Sequence, residues 1–184
     1  MRYFIILPAI LLAYVAEAQA QSVIINNDTL STDIVEQLQE MYRVKILPGR
    51  YWYDKASGFW GMEGYPPAGI GIPGLNLGGP LSPDASKGNT GIFINGREIT
   101  QIEQAELMKI TRGPVFRGRY WLDQNGWVGF EGQGALVNLY QLAMQYYQQS
   151  SGSYFNRSWN TDIGSGGNSE GFYIMGEDWS YSSF

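Results

Sequence analysis

The strongest periodic signal in the chain is an alternation of aromatic and polar residues that occurs twice. Gly49-Arg50-Tyr51-Trp52-Tyr53-Asp54 is closed by Gly58-Phe59-Trp60-Gly61-Met62-Glu63-Gly64. Gly118-Arg119-Tyr120-Trp121-Leu122-Asp123 is closed by Gly126-Trp127-Val128-Gly129-Phe130-Glu131-Gly132. A period of two predicts strands with two unlike faces, and the intervening turn residues predict hairpins. In the first copy the pairing sets Asp54 opposite Phe59, Trp52 opposite Gly61 and Arg50 opposite Glu63. The second turn is one residue shorter, and Asp123, Trp121 and Arg119 then oppose Trp127, Gly129 and Glu131. The deletion falls inside the turn, so the pairing is preserved. Tyr51, Tyr53, Trp60 and Met62, or Tyr120, Leu122, Val128 and Phe130, form the face predicted to be core.

The chain before each cassette follows one plan. Ser22 to Leu30 reads as a strand, an Asn-Asn-Asp turn and a short return. Ser31 or Thr32 caps a helix to about Tyr42, with Ile34, Val35, Leu38, Met41 and Tyr42 on one face. Shifting the chain by 69 residues superposes Ile25-Asn26 on Ile94-Asn95, Leu38 on Leu107 and Gly49 to Trp52 on Gly118 to Trp121. Asn95-Gly96 is a hairpin turn, and Thr100-x-x-Glu103 is a capping box for a helix to about Thr111. Ungapped self-similarity of this length is a repeat signature. The expected fold is α+β, with two tandem hairpin, helix, hairpin units sharing one core. The divisions are a signal peptide (1–20), unit one (21–64), an ordered Gly/Pro-rich connector (65–90), unit two with a helix from Ala135 to Gln149 (91–149), and an aromatic Ser/Gly-rich tail (150–184). Within the tail, Gly171 to Gly176 has strand character.

Composition narrows the chemistry. The 184 residues include no Cys and no His, and the net charge is −5. Thiol nucleophiles, thiolate or imidazole metal sites and Ser-His-Asp catalysis are excluded. The acidic balance argues against nucleic acid. Arg2, the apolar run from Tyr3 to Val15 and Ala18-Gln19-Ala20 read as a cleavable export signal, leaving no transmembrane anchor. The connector's glycines lack the Lys-Ser/Thr of a phosphate loop. No cofactor is expected.

Each candidate site residue has a chemical and a structural reading. Glu63 and Glu131 are the carboxylates available to a glycoside hydrolase or lytic enzyme. An arginine against each (Arg50, Arg119) favours the ionised form and spoils a general acid, so structural ion pairs are the stronger reading. Trp52, Phe59, Trp121 and Trp127 are candidates for a sugar-stacking platform, against the alternative of hairpin packing. Trp over a cross-strand Gly stabilises that Gly in a strand. Asp54 and Asp123 suit Ca²⁺ less well than capping of their own turns. Asn27-Asp-Thr29 and Asn156-Arg-Ser158 are glycosylation sequons.

The two cassettes flank Pro73-Gly-Leu-Asn-Leu-Gly-Gly-Pro-Leu81, Ala85-Ser86 and Phe93-Ile-Asn-Gly-Arg-Glu98. With them, the chain resembles a family of uncharacterised exported bacterial proteins from about Arg50 to Tyr140. The resemblance implies export and a repeat architecture and brings no functional residue. The expected protein is therefore a secreted or periplasmic, non-catalytic binding or structural module of the cell envelope, touching cell-wall or extracellular glycan through the cassette aromatics. A carboxylate-dependent hydrolase and a matrix protein assembling through the aromatic tail are the alternatives.

Overall fold

The computed structural model describes residues 22–151, 163–168 and 171–176. The segment read as an export signal, the second sequon and the rest of the tail lie outside the described residues. The fold is α+β, with two five-stranded mixed sheets and three helices.

The first sheet holds β1 (Val23–Ile25), β2 (Asp28–Thr29), β3 (Gly49–Tyr53), β4 (Phe59–Met62) and β5 (Gly69–Ile70) in the order β2-β1-β3-β4-β5. The second holds β6 (Ile92–Ile94), β7 (Arg97–Glu98), β8 (Gly118–Leu122), β9 (Trp127–Phe130) and β10 (Ala135–Asn138) in the matching order β10-β9-β8-β6-β7. Helices α1 (Thr32–Tyr42) and α2 (Gln101–Thr111) occupy equivalent places. Ser31 caps α1 and Thr100 caps α2, the latter through a complete capping box with Glu103. A third helix, α3 (Leu139–Ser151), follows β10, and β11 (Ile163–Asn168) pairs with β12 (Gly171–Gly176).

Each five-stranded sheet is more than two hairpins and a helix. Strand β1 pairs in parallel with β3, and β6 with β8. The helix between them returns the chain to the starting edge, which makes the flanking strands parallel and joins both hairpins into one sheet. Each sheet also gains a fifth strand. In the first unit it comes from the connector, as β5. In the second, Ala135–Asn138, expected as the first turn of the last helix, forms β10 instead. A four-residue apolar run does not distinguish strand from helix, and the open edge of β9 supplies the backbone partners that decide it. Asn138 then accepts the Gln141 N–H, starting α3 at Leu139.

A left-handed asparagine locks each parallel pair. Asn26 (φ 48°) and Asn95 (φ 51°) end β1 and β6. The Asn26 side chain donates to Tyr53 O (2.8 Å) and accepts from Tyr53 N–H (3.0 Å). Asn95 does the same to Leu122, at 2.7 and 2.9 Å. The amide thereby imitates one more strand residue after the backbone has turned away, at a φ that asparagine tolerates better than most residues.

The hairpin registers are those set by the turn lengths, with Trp52 opposite Gly61 and Trp121 opposite Gly129. Each indole N–H donates to a carbonyl of the following loop, Trp52 to Tyr65 O (3.1 Å) and Trp121 to Gln133 O (2.9 Å). The glycine is thus sandwiched between ring and loop. A Cβ on Gly61 would lie 2.7 Å from Pro66 O and 2.9 Å from the Trp52 ring.

Two clusters of buried side chains result. Val23, Ile25 and Tyr53 gather Val35 of α1 with Leu75 and Leu77 of the connector. Ile92, Ile99, Tyr120, Leu122 and Val128 gather Leu107 of α2 and Leu139 of α3, and Phe59 of the first sheet packs against them. The common core therefore resolves into two clusters. Met62 is exposed rather than core, because the covering side chains gather on Tyr51, Tyr53 and Trp60 and stop short of it.

Substituting Gly129→Ala should cost about 2–4 kcal/mol, because the new methyl group meets both the Trp121 ring and the Gly134 carbonyl. Gly134→Ala, in open space, should stay within about 0.5 kcal/mol. Urea unfolding of the two variants beside the parent checks the contrast.

Candidate functional site

The residues singled out by their chemistry lie on the hairpins β3–β4 and β8–β9 and in the turns that close them. Their surroundings differ sharply between the two units. In the first, Asp54 ends β3 and is buried. Its carboxylate accepts from Ala56 N–H (2.9 Å), Ser57 Oγ (2.5 Å) and Asn95 Nδ2 of the second unit (2.6 Å). Trp52 is 1% exposed. The guanidinium of Arg97, on β7 of the second sheet, lies 4.1 Å from its ring centroid. Arg97 is held there by Glu103 (2.6 and 3.0 Å) and by Ser86 Oγ (2.7 Å). Glu103 in turn accepts the Thr100 N–H (2.8 Å), so the cap of α2 and the support of Arg97 are one network.

Three contacts thus seat the second unit on the first: Asn95 on Asp54, Arg97 on Trp52, and Phe59 in the second core. The desolvated guanidinium has a π-face on one side and a bidentate carboxylate on the other, which together offset the cost of burying its charge.

In the second unit the same positions are open. Asp123 Oδ1 accepts the N–H groups of Asn125 and Trp127, both at 2.9 Å. Trp121 is half-buried, and Trp127, the counterpart of Phe59, is 42% exposed. Arg119 pairs with Glu131 at 2.8 Å and lies over Phe93 at 5.1 Å. In the first unit Arg50 pairs with Glu63, and Arg50 Nη2 also donates to Asn27 Oδ1 (2.6 Å).

This geometry corrects the hydrolase alternative. Glu63 and Glu131 are each engaged by the arginine of their own hairpin, so neither stands as the free carboxylate that an acid and base pair requires. Nor do the four platform candidates form one surface: Trp52 is sealed beneath Arg97 and Phe59 packs into the second core, while Trp121 and Trp127 remain accessible. Among the described residues no cluster of three acidic side chains converges. The turn aspartates hold their own backbones, as Asx turns do.

Sequence reasoning missed Arg97 and Ser86 as partners of the first cassette, and the second role of Asn95. The alignment of Asn26 with Asn95 carried the signal for the clamp. Nothing local could reveal the contact between units, since Asn95 lies 41 residues from Asp54 in the chain.

Tyr140 of α3 sits against the second turn, where a Cβ on Gly126 would enter its ring. Burial first, then the carboxylates of Asp123 and Asp54, push its phenol up to about 12. The raised value means that the neutral phenol stabilises the fold fully below the ordinary tyrosine pKa of about 10, and that this contribution is lost as pH rises towards about 12. Phenolate absorbance should show a late step that Tyr140→Phe removes. Removing the buried Arg97, as Arg97→Met, should cost about 3–5 kcal/mol, because it leaves the Glu103 carboxylate without its counter-charge. Arg119→Met, which breaks an exposed pair, should cost less than about 1 kcal/mol. Thermal unfolding measures both.

No family model matches the chain, and no solved structure does. It is 49% identical over 89 residues to extra-large guanine nucleotide-binding protein 1 of Arabidopsis thaliana, covering 48% of this chain and 10% of that protein. It is 39% identical over 113 residues to extra-large guanine nucleotide-binding protein 2 of the same plant, covering 60% and 13%. The chain therefore spans only about a tenth of the length of the curated relatives it matches. These similarities overturn the resemblance to exported bacterial proteins and everything that rested on it. The secreted or periplasmic location, the cell-envelope role, the glycan partner, the matrix alternative and assembly through the tail are all withdrawn. The misreading has a physical source. Alternating aromatics on a sheet face look the same whether they stack on a sugar or on another part of the protein.

Proposed function

We propose that this chain is a protein-docking scaffold that works in guanine-nucleotide-dependent signalling, as an accessory part of proteins like the extra-large guanine nucleotide-binding proteins. The observation that carries the reading is the 49% identity to a protein of that name, confined to a tenth of its length. What supports an accessory role is the way strands join helices here. The segments before α1 and α2 are Leu30-Ser31 and Ile99-Thr100, and the cap side chains of Ser31 and Thr100 accept the N–H groups that a phosphate would need. The cassette charges are tied to one another, so the fold offers a partner shaped sheet surface rather than reactive groups.

Titrating the chain with a fluorescent GTP analogue and Mg²⁺ should give no saturable signal up to roughly 100 µM. Deleting the matching segment from extra-large guanine nucleotide-binding protein 1 should leave its nucleotide affinity within about twofold. Stoichiometric nucleotide binding by this chain alone would overturn the reading.

A further inference from the structure

The second sheet carries, unused, the surface by which the first sheet is held. Position by position, Trp52, Asp54 and Phe59 correspond to Trp121, Asp123 and Trp127. The first three are covered by Arg97, by Asn95 and by the second core. Of the second three, Trp127 is exposed, Trp121 and Asp123 are half-buried, and among the described residues Asp123 Oδ2 accepts no hydrogen bond. The Trp121 indole N–H is already donated to Gln133 O, so what the ring offers is its π-face.

We propose that Trp121, Asp123 and Trp127 form a docking face for a partner protein presenting a β-turn with a side-chain amide and, two residues on, an arginine. The proposal rests on the reading of the chain as a docking scaffold and specifies the chemistry of what docks. The complementarity is the one this chain already uses: an amide donor to the carboxylate, a guanidinium over the indole, and an apolar ring entering the opposing core. An open carboxylate beside an electron-rich ring favours a cationic occupant.

A second copy of the chain fits poorly. Its first unit has Asp28 where the second has Arg97, and the Asn26 amide is already donated to Gly79 O at 3.1 Å. A carboxylate facing Asp123 would repel rather than attract. The tail strand β12 runs beside β5 of the first sheet.

The test uses the whole chain and a cyclised peptide of its own residues 91–99, which carries the Asn95-Gly96-Arg97 turn. In ¹H–¹⁵N spectra the peptide should shift the Trp121 and Trp127 indole signals saturably, with Kd below about 1 mM, and leave Trp52 unmoved. A peptide with Arg97→Gln should bind about tenfold more weakly. Asp123→Asn in the protein should weaken binding similarly, and that variant retains the Oδ1 atom that holds its turn. The proposal fails if the Trp121 and Trp127 signals do not move, or if they move equally with the Gln peptide or the Asn variant. It also fails if they move with protein concentration alone, which would assign the face to a second copy. Nucleotide binding by the chain would instead overturn the scaffold reading, and the indole signals report the two failures separately.

Discussion

Asn95 makes the bonds on which both levels of this structure depend. Its backbone turns away in the left-handed region while its amide stays in line with the strand, taking the N–H and C=O of Leu122. The same Nδ2 reaches the buried carboxylate of Asp54. One side chain therefore closes the parallel β6–β8 pair and fixes the position of the second sheet on the first. A residue with no second acceptor and donor could not do this, since both halves of the amide are used. Asn26 shows the same device without the inter-unit role, its remaining hydrogen going to Gly79 of the connector.

From that junction the asymmetry between two similar sheets follows. Arg97 can be buried because Glu103, Ser86 and the Trp52 ring surround it, and Trp52 is dry because Arg97 lies over it. The equivalent tryptophan on the second sheet keeps an accessible face. Two copies of one cassette thus come to differ in role. The first is an internal joint, and the second is a surface with the same shape and no occupant among the described residues.

Much of this was legible in the residues. The 69-residue offset placed α1 and α2 in equivalent positions, and alternation with turn length set the hairpin register. Those are local properties, governed by side-chain periodicity, capping and turn geometry. The parallel pairing was not legible, because nothing in a strand of three residues says which neighbour it will take. The last helix was misjudged at its start for a related reason: Ala135–Asn138 became strand only because β9 had an edge to fill. The misreading of role was of another kind. Aromatic density and an apolar leading segment suggested export and glycan, while similarity to extra-large guanine nucleotide-binding proteins over about half the chain points elsewhere.

The sequence alone determined the α+β class, the placement of helices and hairpins, and the pairing of Trp with Gly across each ladder, because each depends on residues close together in the chain. Only the tertiary structure decided that Trp52 and Asp54 are interior while Trp121 and Asp123 face outward. Burial depends on what a distant segment covers, and Asn95 and Arg97 lie more than forty residues from the side chains they seal.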